Sequence, residues 1–350
     1  MKSREQFYRP LNVFAALLLL FVAAIFAPSA RAQQCTVKPA AIPLGQTVWL
    51  RCKLPGAVRD EVRSEVRGEV RDEVPDKVPD EARDKVPDEA RDKVPAVTAR
   101  LDFRLDSQVD SQMNDGSNRR TVRLFKQASG DWEGLMPVAV EDSPGTFPIQ
   151  FLAADGATLA SVNLTIRKTI FPTQNVVLAP QIEALHTTSE ERQALTAFRD
   201  SVSDVKYWDD PLVAPLPGCV ISPFGVKRLH NGKPTGEIHA GIDQRAAAGT
   251  PIRAVAAGVA KIVQPFNVLG GTVAIDHGQG LETMYLHMSK LNVELGAQVK
   301  KGDVIGYVGA TGRANGPHLH WVVYVNGVPQ NPQQWVTLKS CATPPKKSKR

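Results

Sequence analysis

The chain has 350 residues, 43% of them hydrophobic and 22% charged, with a formal net charge of +6. That length and apolar content allow two domains with a sizeable core and exclude a chain too polar to fold. No basic stripe is interleaved with aromatics, so the excess positive charge does not point to a nucleic-acid partner.

In chain order, Lys2, Arg4 and Arg9 precede an apolar run from Val13 to Ala27, followed by Ala30-Arg31-Ala32. A basic n-region, an apolar h-region shorter than the roughly 20 residues of a spanning helix and an A-x-A site read as a secretory signal peptide over 1–32. The expectation is cleavage after Ala32 and export to the periplasm or cell envelope. Gln34 before Cys35 argues against lipidation, which normally follows Gly or Ala. Export places the four cysteines in an oxidising compartment. Three pairings are open, and sequence order favours Cys35–Cys52 and Cys219–Cys341.

From 33 to 170 the chain reads as a β-sandwich-like domain. Gln46-Thr-Val-Trp-Leu-Arg-Cys52 alternates apolar and polar positions, as a half-buried strand does. Further strand patterns start near Thr98, Arg120, Thr146 and Ser161, separated by Asn114-Asp-Gly, Ser129-Gly-Asp, Ser143-Pro-Gly and Asp155-Gly turns. A low-complexity insertion at 57–96 interrupts them. Val or Ala recurs every fourth position from Val58 to Val94 among mixed charges. Such a period drifts about 40° per repeat around a helix, and Pro75, Pro79, Pro87 and Pro95 break one. The insertion is therefore read as disordered or only partly helical.

A short helical linker is expected at 171–215. Thr188-Ser-Glu-Glu191 fits a capping box, and Ala194, Leu195, Phe198 and Val202 keep helical spacing before Pro211, Pro215 and Pro217. From 216 to 341 short Val/Ile/Ala strands alternate with glycine turns, which predicts an antiparallel sheet with no long helix. Lys346-Lys347-Ser348-Lys349-Arg350 ends a basic tail, 342–350, suited to peripheral contact with anionic envelope polymers. The fold class is thus mostly β.

The chemistry concentrates in that last region. Of seven histidines, His239, His277, His287, His318 and His320 all fall within it. Side chains two apart on a strand share a face, so His318 and His320, leading into Trp321-Val-Val-Tyr-Val325, point the same way. His239 and Asp243 can converge with them. Zinc takes imidazole and carboxylate ligands, and a catalytic zinc keeps three protein ligands and one open position. His239, Asp243 and His320 can supply the three, leaving His318 and His287 beside the open position. Residue types alone do not separate a structural from a hydrolytic ion.

The motifs resemble those of the LytM-type, lysostaphin-like zinc metalloendopeptidases, a family with a duplicated hybrid motif fold. Ser222-Pro-Phe-Gly-Val-Lys-Arg228, His239-Ala-Gly-Ile-Asp243, Gly249-Thr-Pro-Ile-Arg-Ala-Val-Ala-Ala-Gly-Val259, Asp276-His-Gly, Tyr285-Leu-His-Met, Val299-Lys-Lys-Gly-Asp-Val-Ile-Gly and Thr311-Gly-Arg-Ala-Asn-Gly-Pro-His-Leu-His320 stand in the family's order. Lys227 replaces a common Arg, Ala240 a common Ser, and Gly270-Gly271 a usual Gly-Asn.

The resemblance implies one Zn²⁺ held by His239, Asp243 and His320, with catalytic His318 as general base and catalytic His287 stabilising the oxyanion. It further implies a peptidoglycan substrate, cut at peptide bonds of stem peptides or cross-bridges. A zinc-retaining, non-catalytic regulator of amidases and a protease of secreted proteins are the alternatives. Arg228 can orient a ligand, line the groove or merely pack, and His277 is expected to support the turn before Gly278.

Overall fold

The computed structural model describes residues 34–54, 97–103 and 119–341. The signal peptide expected at 1–32, the insertion expected at 57–96 and the basic tail at 342–350 lie outside the described residues. Cys35–Lys53 and the described residues from Val97 on belong to a single unit.

The first strands are β1 (Gln34–Lys38), β2 (Ala41–Pro43), β3 (Thr47–Lys53), β4 (Thr98–Asp102), β5 (Arg119–Arg123), β6 (Phe125–Lys126), β7 (Trp132–Pro137), β8 (Gly145–Leu152) and β9 (Thr158–Arg167). They form a four-stranded sheet, β1-β3-β7-β6, and a five-stranded sheet, β2-β9-β8-β4-β5. Alternation accounts for β4 and β8: Ala99 and Leu101 on one, and Phe147, Ile149 and Phe151 on the other, turn inward at every second position. β7 carries no such signal, because both of its faces are covered; its Leu135 joins the core of the C-terminal sheet. The Cys35–Cys52 disulfide staples the neighbouring strands β1 and β3.

The expected helical linker holds α1 (Pro180–Glu183) and α2 (Ser189–Arg199), but it also contains a strand, β10 (Thr173–Val176). β10 has no hydrophobic alternation to announce it; it exists because it pairs in parallel with a later strand. Thr188 caps α2, its side chain accepting the Glu191 N–H. Glu191 does not close the capping box. Its buried carboxylate instead accepts the N–H groups of Val268 (3.3 Å) and Leu269 (3.0 Å).

The C-terminal strands are β11 (Val220–Ser222), β12 (Lys227–His230), β13 (Lys233–Ile238), β14 (Ile242–Arg245), β15 (Pro251–Arg253), β16 (Gly258–Phe266), β17 (Gly270–Gly278), β18 (Leu281–Leu291), β19 (Gln298–Val299), β20 (Val304–Val308), β21 (His318–Val325) and β22 (Val328–Gln330). The main path of a ten-stranded sheet runs β11-β14-β21-β18-β17-β16-β19, with antiparallel pairings along it. β10, β12 and β13 form a separate three-stranded sheet beside it. Cys219–Cys341 joins the two ends of this region, next to a parallel bridge between Val220 and Ser340. No helix among the described residues is long and apolar enough to cross a membrane.

Alternation along β21 assigns the two faces of the main sheet. Leu319, Trp321, Val323 and Val325 enter one core, with Tyr285, Ile242 and Trp335. Val322 and Tyr324 enter another, packed under Phe198 of α2 with Met284 and Leu286. Because both faces of β21 are covered, its sequence is a nearly unbroken apolar run. His318 and His320 share the parity of Val322 and Tyr324. They therefore stand on the face that α2 covers further along.

Candidate metal centre

β14 and β21 are antiparallel neighbours whose register sets Asp243 directly opposite His320, Ile242 opposite Trp321 and Arg245 opposite His318. His239 comes from the turn between β13 and β14. That turn passes so close to β21 that a Cβ on Gly241 would lie 2.2 Å from the Trp321 carbonyl oxygen. The glycine of His-x-Gly-x-Asp is thus a close-approach residue.

Three ligand-type atoms converge. His239 Nε2 is 3.1 Å from Asp243 Oδ1 and 2.9 Å from His320 Nδ1, and His320 Nδ1 is 2.8 Å from Asp243 Oδ1. His239, Asp243 and His320 form a group able to hold a metal ion. His239 Nδ1 donates to the Pro223 carbonyl at 2.8 Å, which leaves Nε2 as a bare lone pair. Burial pushes the Asp243 carboxyl up, but the charges and hydrogen bonds of His239 and His320 prevail and hold it well below the usual carboxylate range. With the rings neutral, the Asp243 oxygen and the lone-pair nitrogens pressed together call for a cation, the positive charge that protonated imidazoles otherwise supply. Two imidazoles and a carboxylate suit zinc, whose bonds of about 2.0–2.2 Å put tetrahedral ligands roughly 3.4 Å apart. The residues therefore fit the ion with a small widening.

Arg228 grips the other carboxylate oxygen: its Nη2 donates to Asp243 Oδ2 at 2.9 Å, with both side chains largely buried. Arg228 also lines the cleft, so the structure shows a bond to Asp243 and a place in the groove wall together. Lys227 and Arg228 alternate on β12, so Lys227 is exposed while Arg228, partly buried, reaches Asp243. The guanidinium that the motif seemed to lack at Lys227 arrives from the next residue.

Beside this triad stand His318 and His287, their ring centroids 5.0 Å apart. His318 Nδ1 donates to the Gly316 carbonyl and His287 Nδ1 to the Thr311 carbonyl, each at 2.8 Å. In the neutral state both therefore present Nε2 as an acceptor. Burial, with the charges of His318 and His320, lowers His287 to about 3. Burial lowers His320 to about 4, against the opposing hydrogen bond to Asp243. His287 sits in a bulge, since Leu286 and His287 lie opposite the single residue Thr272 of β17, and its φ is 60°. A left-handed, non-glycine residue in a bulge re-aims a side chain at local cost.

His277 lies elsewhere. It is fully buried, bonded to the Ala257 carbonyl and the Thr283 hydroxyl, each at 2.7 Å. Burial holds it neutral, at about 4. It is a strut of the sheet rather than part of the cluster. Gln174 and Thr311 touch the site's residues; Gln174 did not stand out in the sequence, and Thr311 figured there only as the opening of a motif.

The cluster opens into a cleft of about 330 Å³ lined by His239, Asp243, His287, His318 and His320, with Gln174, Arg228, His230 and Arg313 around them. Arg313 is bonded across it to Glu237 at 2.8 and 2.9 Å.

Residues 237–332 match Peptidase family M23. Among curated proteins, the chain is 45% identical over 113 residues to the DD-carboxypeptidase/endopeptidase Mpg of Neisseria meningitidis serogroup B, covering 32% of this chain and 26% of that protein. It is 42% identical over 116 residues to the peptidoglycan DD-endopeptidase ShyC of Vibrio cholerae, covering 33% and 26%. The chain thus spans about a quarter of the length of these relatives. A crystal structure from Pseudomonas aeruginosa, assigned to peptidase M23, aligns with a TM-score of 0.50 and 28% identity over 69% of this chain and 88% of that one. That likeness extends beyond residues 237–332.

Proposed function

We propose that this chain, whose residues 237–332 are a peptidase family M23 domain, is an exported zinc-dependent endopeptidase that hydrolyses peptide bonds of peptidoglycan stem peptides or cross-bridges. The observation that carries the reading is the convergence of His239 Nε2, Asp243 Oδ1 and His320 Nδ1 within 3.1 Å of one another, with two further histidines at the same cleft. The named relatives, peptidoglycan endopeptidases among them, support the substrate class. In this reading a β-rich domain, 33–170, and a linker, 171–215, precede the peptidase domain, 216–341.

His239, Asp243 and His320 would hold the ion. A bound zinc supplies Lewis acidity and makes a water acidic enough to act near neutral pH. His318, with Nδ1–H fixed on Gly316, offers its Nε2 lone pair to the cleft and takes the proton of the attacking water. It then returns that proton to the leaving amine. His287, fixed on Thr311, meets a developing oxyanion as a donor only in its imidazolium form. Burial disfavours that form in the resting site, so the extra proton would be taken up from solvent as the negative charge develops. Arg228 keeps Asp243 Oδ2 occupied, so that Oδ1 faces the two histidines.

The test is mass spectrometry of purified sacculi incubated with the mature, zinc-loaded protein and with His318→Ala. Released, uncross-linked muropeptides that are absent with His318→Ala support the reading and name the scissile bond. Sacculi left intact by a zinc-bound wild type overturn it.

A further inference from the structure

Gln174 belongs to β10 in the linker, outside the segment that matches the peptidase family. Nothing in Thr173-Gln-Asn-Val176 suggests a site. The chain returns there because β10 pairs in parallel with β12, putting Gln174 in register with Arg228. Side chains fasten the pairing: Asn175 Oδ1 accepts the Gly232 N–H at 2.7 Å, and Asn231 bonds both the N–H and the carbonyl of Leu178.

The Gln174 Oε1 atom accepts two hydrogen bonds. One comes from the Ser222 hydroxyl at 2.7 Å, the other from Arg228 Nη1 at 2.8 Å. Arg228 then uses Nη2 on Asp243 Oδ2 at 2.9 Å. Ser222, almost fully buried, lies 3.4 Å from His239 Nδ1. A guanidinium presents its donors in a rigid planar fork. Fixing one arm on Gln174 therefore fixes where the other meets the carboxylate. Without that acceptor, Nη1 loses a partner and the long side chain regains rotamer freedom.

We propose that Gln174 is a positioning residue of the metal centre. Through Arg228 it orients Asp243, and through Ser222 it backs His239, so the linker strand completes the site rather than merely spacing it. The inference rests on the zinc-hydrolase reading above. Groups that orient metal ligands typically govern about 10–100-fold in affinity, and Gln174 acts one bond further out, so the lower end applies.

The experiment uses the full chain and three variants: Gln174→Ala, Gln174→Glu and Asn175→Ala. Zinc affinity is read by competition with a chromogenic chelator, melting of the metal-free protein by calorimetry, and kcat and KM on sacculi. Gln174→Ala is expected to weaken zinc about tenfold and to lower kcat with KM unchanged, with metal-free melting lowered because Ser222 and Arg228 lose their acceptor. Gln174→Glu keeps an acceptor for both donors and restores affinity to within about threefold. Asn175→Ala, at the same cleft but with its side chain bonded to Gly232 rather than to Ser222, Arg228 or Asp243, leaves affinity within about twofold. Unaltered affinity in Gln174→Ala overturns the proposal, as does an equal loss in Asn175→Ala, which would make the strand mere scaffold. Both results require a zinc-binding wild type and leave the hydrolase reading standing. A wild type that binds no zinc overturns both.

Discussion

Asp243 and His320 are cross-strand partners, directly opposed on β14 and β21, with Oδ1 and Nδ1 2.8 Å apart. Directly opposed residues are the closest pairs across a sheet, so the backbone ladder itself sets two of the three proposed ligands. Loss of either removes the site without disturbing the ladder. His320→Ala and Asp243→Ala should each cost more than about 100-fold in zinc affinity, since residues that merely orient ligands can cost that much. Chelator competition on the purified variants checks this; retention of wild-type affinity by either would remove that residue from the ligand set.

His318 touches the cleft but makes no contact shorter than 3.8 Å with Asp243. His318→Ala should therefore keep zinc affinity within a few-fold while muropeptide release falls about 10²–10⁴-fold, the usual reach of general acid–base catalysis. Parallel loss of zinc and activity would instead mark His318 as a ligand.

Gly241 lets the His239 turn lie against β21. A Cβ there would sit 2.2 Å from the Trp321 carbonyl, which is backbone and cannot rotate away. Gly241→Ala should force the strands apart, costing roughly 1–3 kcal/mol as overpacking does and weakening zinc binding as His239 moves. Denaturant unfolding and chelator competition should change together; an unaltered midpoint would show that the turn can yield.

Glu191 ties α2 to the loop that lines the cleft. Glu191→Ala strands the N–H groups of Val268 and Leu269. The cost should be about 1–3 kcal/mol for each buried donor left unpaired. Hydrogen exchange at Val268 and Leu269 should accelerate in the variant, and equal exchange in both proteins would show that the loop needs no anchor.

Glu282 is buried on β18 opposite Asp276, its Oε1 3.5 Å from the Ser201 hydroxyl and its Oε2 without a hydrogen-bond partner among the described residues. Burial, reinforced by the charge of Asp276, raises it from 4.5 to about 9. The folded form keeps a proton that the unfolded chain releases above pH 4.5, so stability is fully present below that pH and falls as pH rises towards 9. Glu282→Gln should abolish this slope. Its melting temperature should match the wild type near pH 4.5 and exceed it increasingly towards pH 9, by several degrees. A constant difference across that range would place the titration elsewhere.

By itself, the sequence determined whatever depends on local periodicity and on residue type. Alternation placed His318 and His320 on one face, because a strand repeats every two residues. It also located β3, β4, β5, β8 and β9, each with a face to bury. Thr188 announced the start of α2, because a hydroxyl satisfies an orphan N–H within its own turn. Residue type and order were enough to suggest His239, Asp243 and His320 as a ligand set.

Tertiary structure decided which partners distant groups find. Glu191 fits a capping box locally, but the fold brings it two unpaired N–H groups from the loop before β17, and a buried carboxylate goes where such donors are. Arg228 rather than Lys227 meets Asp243 because successive side chains on β12 point to opposite faces, and the pairing of β12 with β10 and β13 turns the Arg228 face towards the cleft. His287 turns at φ 60° because β18 carries an extra residue against β17. Gln174 enters the site only through parallel pairing across more than fifty positions of chain. None of these has a local signature, since each is fixed by closing long loops, and the energy that selects the partner lies in contacts the sequence does not order.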